Sequence, residues 1–253
     1  MGVHKPTNSQ GSKTQFKLYG RRRGKGFSRR NFFFINEILP QIVPKGVSIE
    51  ENPLRKKLEF RAVFGRDCPV WIEIGFGGGE HLLHLARKYR DVGFIGCEPY
   101  QNGVAKLVQS ISDEKISNVK VLMNDARNFL EVVPDSSVGK IFLLFPDPWP
   151  KKRHIKRRFI DEQNLECVAR ILQPGGKFYL ATDSNDYVKH AIKKIMSKPG
   201  FERLANSRKD YSEPWIDWVD TRYSLKARQA GKICSFLVFQ RKSILDSSNG
   251  IKK

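Results

Sequence analysis

A short apolar run that leads through a glycine-rich turn into a helical pattern constrains the fold most strongly. Residues 70–74 read VWIEI, residues 75–79 read GFGGG, and apolar side chains then recur at helical spacing from His81 to Ala86. Glycines at Gly75 and Gly77 permit positive φ and let a ligand approach the backbone. A strand, a glycine turn and a helix in this order predict a nucleotide-type cradle in an open α/β sheet.

The same alternation continues along the chain. Further apolar runs at 92–97, 119–123, 139–145 and 177–182 are separated by helical patterns, and a last apolar run lies at 233–239. Strands that alternate with helices predict a parallel sheet, and we expect the C-terminal strand to be inserted antiparallel. We therefore expect a doubly wound, mostly parallel α/β domain at 37–241, with a basic arm at 1–36 and a tail at 242–253.

Two helices are expected before this sheet. Phe32, Phe33, Phe34 and their apolar neighbours predict a short helix over 31–39 that caps the core. A connecting helix is predicted over 52–64, with Pro53 near its first turn and with exposed basic residues at 55–57.

Carboxylates stand in or at the ends of the predicted strands. They are Glu73, Glu98 and Asp125, and in open α/β sheets the carboxyl ends of the strands face the ligand crevice. Glu98 lies about twenty positions after the glycine turn, a spacing that suits an acceptor for ribose hydroxyls. Asp125 suits the amino group of an adenine, with Ala126 as a backbone donor. The carboxylate of Glu73 disfavours a pyrophosphate and favours a cationic ligand.

The fourth apolar run ends in an unusual charged loop. Residues 143–158 read LLFPDPWPKKRHIKRR, and the three prolines hold the loop extended and remove backbone donors. Asp147 and Trp149 therefore lie where an α/β sheet binds its ligand, and a carboxylate beside an aromatic face suits a flat base. The alternatives are a solvated charge run at a strand end and, for Trp149, packing behind the loop.

The charge balance indicates a polyanionic partner. The chain has 46 Lys plus Arg against 26 Asp plus Glu, a formal net charge of +20, and residues 1–36 hold nine Lys or Arg and no acid. Such an arm suits phosphate contacts, although targeting peptides are also Arg-rich and poor in acids. No apolar run approaches the roughly 18 to 20 residues of a membrane-spanning helix, so nucleic acid is the expected partner.

Metal binding and disulfides are not expected. The four cysteines are scattered without a C-x-x-C pair, which suits a reducing cytoplasm. His81 and His84 lie three positions apart but lack a recognisable third ligand, so packing or surface positions are expected. Trp215 and Trp218 are expected to seal the core, and the residues from Thr221 to Ser224 are predicted to form a loop over the crevice.

Together these pieces resemble the tRNA (guanine-N7)-methyltransferase family, whose members use S-adenosylmethionine on a seven-stranded α/β methyltransferase fold. The matching pieces are WIEIGFGGGEHL, FIGCEPY, NDA, LLFPDPWPKKRHIKRR, ATD and TRYSLKA followed by a glycine. They run in order from Trp71 to Gly231, and PDPWPKKRH is the most specific of them.

The resemblance implies methyl transfer from S-adenosylmethionine to N7 of a guanine in tRNA, in the variable loop. The implied cofactor residues are Glu73, Gly75, Gly77, Glu98, Asp125, Ala126 and Asp147, and Asp147 is also the implied catalytic residue. The implied substrate and RNA residues are Lys151, Arg153, His154, Ile155, Lys156, Arg157, Arg158, Asp183, Thr221, Arg222, Tyr223 and Ser224. The family usually has glutamate at the position of Ser224, which puts a carboxylate role there in doubt. We expect a monomer, with self-association left open.

Three alternatives to this function stay open. The sequence Asp147-Pro148-Trp149 also resembles the D-P-P-W type of loop of methyltransferases that act on an exocyclic amine. A non-catalytic RNA-binding module could keep the same fold. A nicotinamide dehydrogenase is the weakest alternative, because the dinucleotide fingerprint needs glycine where this chain has Glu80.

Overall fold

A seven-stranded sheet forms the centre of the molecule in this computed structural model, which describes residues 16, 19, 22–24, 26–204, 207 and 209–243. Its strands are β1 Val70–Ile74, β2 Gly93–Cys97, β3 Val119–Leu122, β4 Val138–Leu144, β5 Leu172–Thr182, β6 Phe201–Arg203 and β7 Ser235–Arg241. The strand order is β3-β2-β1-β4-β5-β7-β6, with β7 antiparallel to both of its neighbours. The mostly parallel sheet with an antiparallel C-terminal strand is thus confirmed.

Helices cover both faces of this sheet. They are α1 Arg29–Phe33, α2 Leu39–Ile42, α3 Phe60–Phe64, α4 Glu80–Lys88, α5 Gln101–Asp113, α6 Ala126–Leu130, α7 Glu162–Ile171, α8 Asn185–Met196 and α9 Arg222–Gln229. A π-helical turn, Phe34–Ile38, joins α1 to α2, and a 3-10 helix spans Lys152–Arg157. None of the helices within the described ranges is long and apolar enough to cross a bilayer.

Strand β1 shows how the sequence builds two cores. All five of its residues are buried, and side chains alternate between the faces of a strand. Val70, Ile72 and Ile74 belong to one apolar cluster, whereas Trp71 belongs to the cluster on the opposite face. Because both faces are covered, apolar residues stand on both faces of the strand, and only Glu73 interrupts the run.

The N-terminal helical run packs on the second of these cores. Phe34 and Leu39 are buried there, as expected for a cap over 31–39. The run begins at Arg29, inside the stretch expected to be a basic arm. Residues 244–253 of the expected tail, and Arg21 and Lys25 of the arm, lie outside the described residues.

The prediction of a helix over 52–64 is wrong for most of its length, because only Phe60–Phe64 is helical. The Asn52 side chain accepts a hydrogen bond from the Lys56 amide at 2.9 Å, and Arg55 has a positive φ of 51°. An Asn side chain bonded to nearby backbone stabilises a turn in place of a helix. The Arg55 side chain is 8% exposed rather than solvated, and donates to the Val47 carbonyl.

Candidate active site

A cavity of about 510 Å³ opens at the carboxyl ends of β1, β2, β3 and β4. Its walls include five of the residues that the sequence assigns to a cofactor: Gly75, Glu98, Asp125, Ala126 and Asp147. Small-molecule sites in proteins fall in the range of about 300 to 1,000 Å³. The topology therefore brings the predicted strand-end acids of β2, β3 and β4 together around a space of suitable size.

The glycine turn after β1 takes backbone conformations that other residues rarely adopt. Gly75 and Gly77 have φ values of 73° and 58°. A Cβ at Gly77 would lie 2.9 Å from the Tyr223 ring, whereas a Cβ at Gly75 would meet nothing within 4 Å. Gly75 therefore leaves open space at the cavity wall, and Gly77 permits close packing of Tyr223.

Glu98 is held in place by two backbone donors. The Gly77 and Tyr100 amides donate to its two carboxylate oxygens, each at 2.8 Å. Burial raises the pKa of the Glu98 carboxyl, and the two amide hydrogen bonds oppose that shift. Since each carboxylate oxygen has a second acceptor position, Glu98 still has capacity to bind ligand hydroxyls.

Asp125 lies at the start of α6. Its Oδ1 accepts from the Arg127 amide at 3.0 Å, and the Arg127 guanidinium donates to both carboxylate oxygens. Asp125 thus reaches the cavity as half of an ion pair, beside Ala126.

Asp147 is the available carboxylate of the cavity. Within the described part of the chain it has no hydrogen-bond or ion-pair partner, unlike Glu98 and Asp125. Its side chain is exposed to solvent, yet the cavity walls remove enough water to raise the pKa of its carboxyl. Phe145 and Trp149 on either side hold positive φ values of 49° and 40°. The loop therefore fixes an unpartnered acceptor between two strained residues.

Two of the predicted acids do not line this cavity. Glu73 is 2% exposed, and its Oε2 lies 2.7 Å from Nδ1 of the fully buried His81 on the α4 side of the sheet. Asp183 accepts from the Lys232 ammonium at 2.6 Å. The packing role expected of His81 agrees with its burial, and no three metal-ligating side chains cluster among the residues that the structure describes.

The side chains of the basic loop, residues 151–158, fall into an exposed outer set and an inner set that lines the cavity. Lys151, Arg153, Ile155 and Lys156 are exposed and His154 is half-buried. Arg157 and Arg158 line the cavity instead. Arg158 is 2% exposed, donates to the Pro148 carbonyl at 2.8 Å and pairs with Asp186 of α8. The outer cations are exposed and can meet phosphates, whereas Arg158 holds the loop against α8.

Residues 221–224 form the start of a helix, so the prediction of a loop there is wrong. Thr221 is the N-cap of α9, and Ser224 completes a capping box with it. The Ser224 amide donates to Thr221 Oγ1 at 3.2 Å, and the Thr221 amide donates to Ser224 Oγ at 2.9 Å. Thr221 and Ser224 are buried, while Arg222 and Tyr223 line the cavity.

Ser224→Ala should lower the free energy of unfolding by about 1 kcal/mol, because it removes half of the capping box. Denaturant unfolding of the purified protein measures this change. Ser224→Glu should keep most of the stability, since glutamate at this position of a capping box makes the same reciprocal bond. Unchanged stability together with lost ligand affinity would contradict the capping role.

Several cavity residues were not indicated by the sequence as site residues. Tyr19 comes from the N-terminal arm, and Arg127 follows the NDA piece. Tyr100 belongs to the FIGCEPY piece, so its position beside Glu98 could have indicated that it lines the cavity. Nothing in the sequence pattern indicates that Tyr19 reaches the cavity.

Known proteins resemble this chain over most of its length. A family described as putative methyltransferase matches residues 67–236. A tRNA (guanine-N(7)-)-methyltransferase of Paracoccus denitrificans is 42% identical over 226 residues, which cover 89% of this chain and 95% of that protein. The enzyme of the same description from a Ruegeria species is 46% identical, covering 88% and 87% of the two chains.

A solved structure shows the same fold at low sequence identity. The 16S rRNA methyltransferase KamB has a TM-score of 0.52 and 13% identity, and the match covers 73% of this chain and 93% of that one. With the relatives above covering nearly their full length, the chain belongs to the tRNA (guanine-N7)-methyltransferase family.

Proposed function

We propose that this enzyme transfers a methyl group from S-adenosylmethionine to N7 of a guanine in the variable loop of tRNA, with Asp147 positioning the base. The observation that carries the proposal is the unpartnered Asp147 carboxylate, which shares one cavity with Glu98 and Asp125. The membership of this chain in the family supports methyl transfer to guanine N7, and the cavity supports the roles assigned to its residues.

The residues of the cavity fit the cofactor. S-adenosylmethionine supplies an electrophilic methyl group on a cationic sulfur. The Asp147 carboxylate at the cavity wall suits a cation, and Gly75 leaves open space at the same wall. We assign Glu98 to the ribose hydroxyls and Asp125 with Ala126 to the adenine. Gly77 holds the Glu98 carboxylate through its amide, and Glu73 joins β1 to α4 through His81.

The Asp147 carboxylate suits the guanine base that accepts the methyl group. The N7 lone pair of guanine is already nucleophilic, so transfer depends on alignment more than on a general base. Because Asp147 has no partner among the described residues, its carboxylate can accept the amino and imino protons of the base. As positive charge passes to the purine ring, the same fixed carboxylate favours the change electrostatically.

The outer cations of the basic loop, Lys151, Arg153 and Lys156, would hold the RNA backbone together with the N-terminal arm. A base must leave its stack to reach the cavity, and Arg222 and Tyr223 stand at the wall to receive it. Asp183 can bind the substrate only if its hydrogen bond with Lys232 is replaced by one with the substrate.

The deciding experiment incubates the protein with unmodified bulk tRNA and labelled S-adenosylmethionine, followed by nucleoside analysis. Label in 7-methylguanosine is the expected result. Label on an exocyclic amine would favour the D-P-P-W type of enzyme. RNA binding without any transfer would favour a non-catalytic module.

Deleting residues 1–30 should weaken tRNA binding and flatten its salt dependence, because the deletion removes nine Lys or Arg. Filter binding over a series of salt concentrations measures the slope. A full-length variant with Arg22→Gln and Arg23→Gln separates charge from chain length. An unchanged slope in both variants would show that the arm makes no phosphate contacts.

We also propose that the enzyme acts as a monomer in the cytoplasm. All four cysteines are free thiols, which suits a reducing compartment.

A further inference from the structure

The N-terminal arm contributes described residues that approach the cavity, although its composition indicates only an RNA-binding tail. We call Phe16, Tyr19, Arg22 and Gly24 the strap residues. The Gln101 amide donates to the Arg22 carbonyl at 2.9 Å, and the Gly24 amide donates to Asn102 Oδ1 at 2.9 Å. These bonds tie the arm to the first turn of α5, directly after Glu98.

Gly24 lies close to Tyr100 in this attachment. A Cβ at Gly24 would lie 2.3 Å from the Tyr100 hydroxyl oxygen, and Tyr100 itself lines the cavity. A side chain at position 24 would therefore require the Tyr100 hydroxyl to shift.

The strap residues also contact two other residues of the cavity wall, Trp149 and Arg127. The Tyr19 ring lies edge-on to Trp149, with centroids 6.2 Å apart, and Tyr19 lines the cavity. The Arg127 guanidinium, which is paired with Asp125, lies 4.6 Å from the Phe16 ring. The strap residues therefore have contacts near the ends of β2, β3 and β4, where these strands border the cavity.

Arg157, which belongs to the basic loop, connects that loop to Tyr19. Its guanidinium carbon lies 4.6 Å from the centre of the Tyr19 ring and 4.8 Å from that of Trp149. Its Nε is buried without a hydrogen-bond partner among the described residues. A phosphate oxygen would give Arg157 charge-assisted hydrogen bonds that the two rings do not supply.

From these contacts we propose that Tyr19 is a wall of the cofactor site, and that tRNA phosphate draws Arg157 away from Tyr19 and so loosens this wall. The cofactor and tRNA then oppose each other's binding. Because such coupling is reciprocal, tRNA weakens cofactor affinity by the same factor by which the cofactor weakens tRNA affinity. The inference rests on the proposed function, since it concerns the same cavity.

The test measures binding of S-adenosylhomocysteine by calorimetry and its release by displacement of labelled ligand, with and without tRNA. Tyr19→Ala should raise the Kd and the rate of release about tenfold, and Tyr19→Phe, which keeps the ring, should change both less than Tyr19→Ala does. In the wild type, tRNA should speed the release of S-adenosylhomocysteine. In Tyr19→Ala this effect of tRNA should be lost.

Three outcomes would overturn the inference. Wild-type affinity and release rate in Tyr19→Ala would show that Tyr19 is not a wall of the site. An equal effect of tRNA in the wild type and in Tyr19→Ala would show that the coupling bypasses Tyr19. A wild-type protein that binds no S-adenosylmethionine or S-adenosylhomocysteine would contradict the proposed function as well, which distinguishes that failure from the first two.

Discussion

Asp147→Ala should lower kcat for methyl transfer to tRNA about 100- to 1,000-fold, the usual loss when one fixed electrostatic group is removed from a transition state. The fold should survive, because the Asp147 carboxylate has no partner among the described residues and its removal leaves no buried group unpaired. Single-turnover rates with saturating S-adenosylmethionine and unmodified tRNA measure the effect. Asp147→Asn should lose nearly as much, since its amide keeps the shape but not the charge.

A control variant and a pH profile sharpen this prediction. Asp67→Ala removes an exposed carboxylate from another part of the surface and should leave the rate unchanged. Loss of water at the cavity walls raises the pKa of the Asp147 carboxyl, so protonation should reduce the wild-type rate as the pH falls through that raised pKa. Asp147→Asn cannot be protonated in this way and should lack that acidic limb. Normal turnover in a folded Asp147→Ala protein would refute the catalytic assignment.

Glu98→Gln should raise the Kd for S-adenosylhomocysteine about ten- to a hundredfold, the equivalent of losing one hydrogen-bonded charge. The side-chain amide can accept through one atom only, so its NH₂ group would face either the Gly77 or the Tyr100 backbone donor. The variant would then lose an acceptor for the ribose hydroxyls, and the glycine turn would lose a hydrogen bond that fixes its geometry. Calorimetry on the purified variant gives the affinity directly.

The affinity for tRNA should change less than the affinity for the cofactor in Glu98→Gln. Glu166→Gln, at an exposed ion pair on α7, provides a matched control in which both affinities should stay constant. If the cofactor Kd of Glu98→Gln equals that of the wild type, Glu98 does not contact the ribose.

The strands of this fold were readable from the sequence because they are buried on both faces. The expected run at 70–74 coincides with β1, and the run at 139–145 differs from β4 by one residue at each end. Continuous apolar runs bounded by glycine or charge leave few alternatives once helices separate them. The carboxyl-end placement of Glu98, Asp125 and Asp147 then followed from topology alone.

The errors occurred where short polar side chains bond to nearby backbone. Thr221 and Ser224 read as a polar loop, yet their spacing is that of a capping box, with serine in place of the more usual glutamate. Asn52 favours a turn in a stretch with helical composition. Local hydrogen bonds of this kind outweigh a weak hydrophobic period.

Contacts between distant parts of the chain were not predictable in the same way. Neither the pairing of Arg158 with Asp186 nor the approach of Tyr19 to Trp149 leaves a periodic signal. Within a run of basic residues, composition cannot show which guanidinium turns inward. Burial decides that question, and it depends on where α8 packs.

The strained loop around Asp147 implies a trade between stability and activity. Positive φ at a bulky residue costs about 1 to 3 kcal/mol, and both Phe145 and Trp149 carry it. Two such residues together amount to a considerable part of the roughly 5 to 15 kcal/mol that keeps a domain folded. The Arg158 bond to the Pro148 carbonyl helps to hold the loop in this shape. Mutations that relax the loop would therefore be expected to raise the melting temperature while they slow methyl transfer, so a search for thermostable variants would select against the working enzyme.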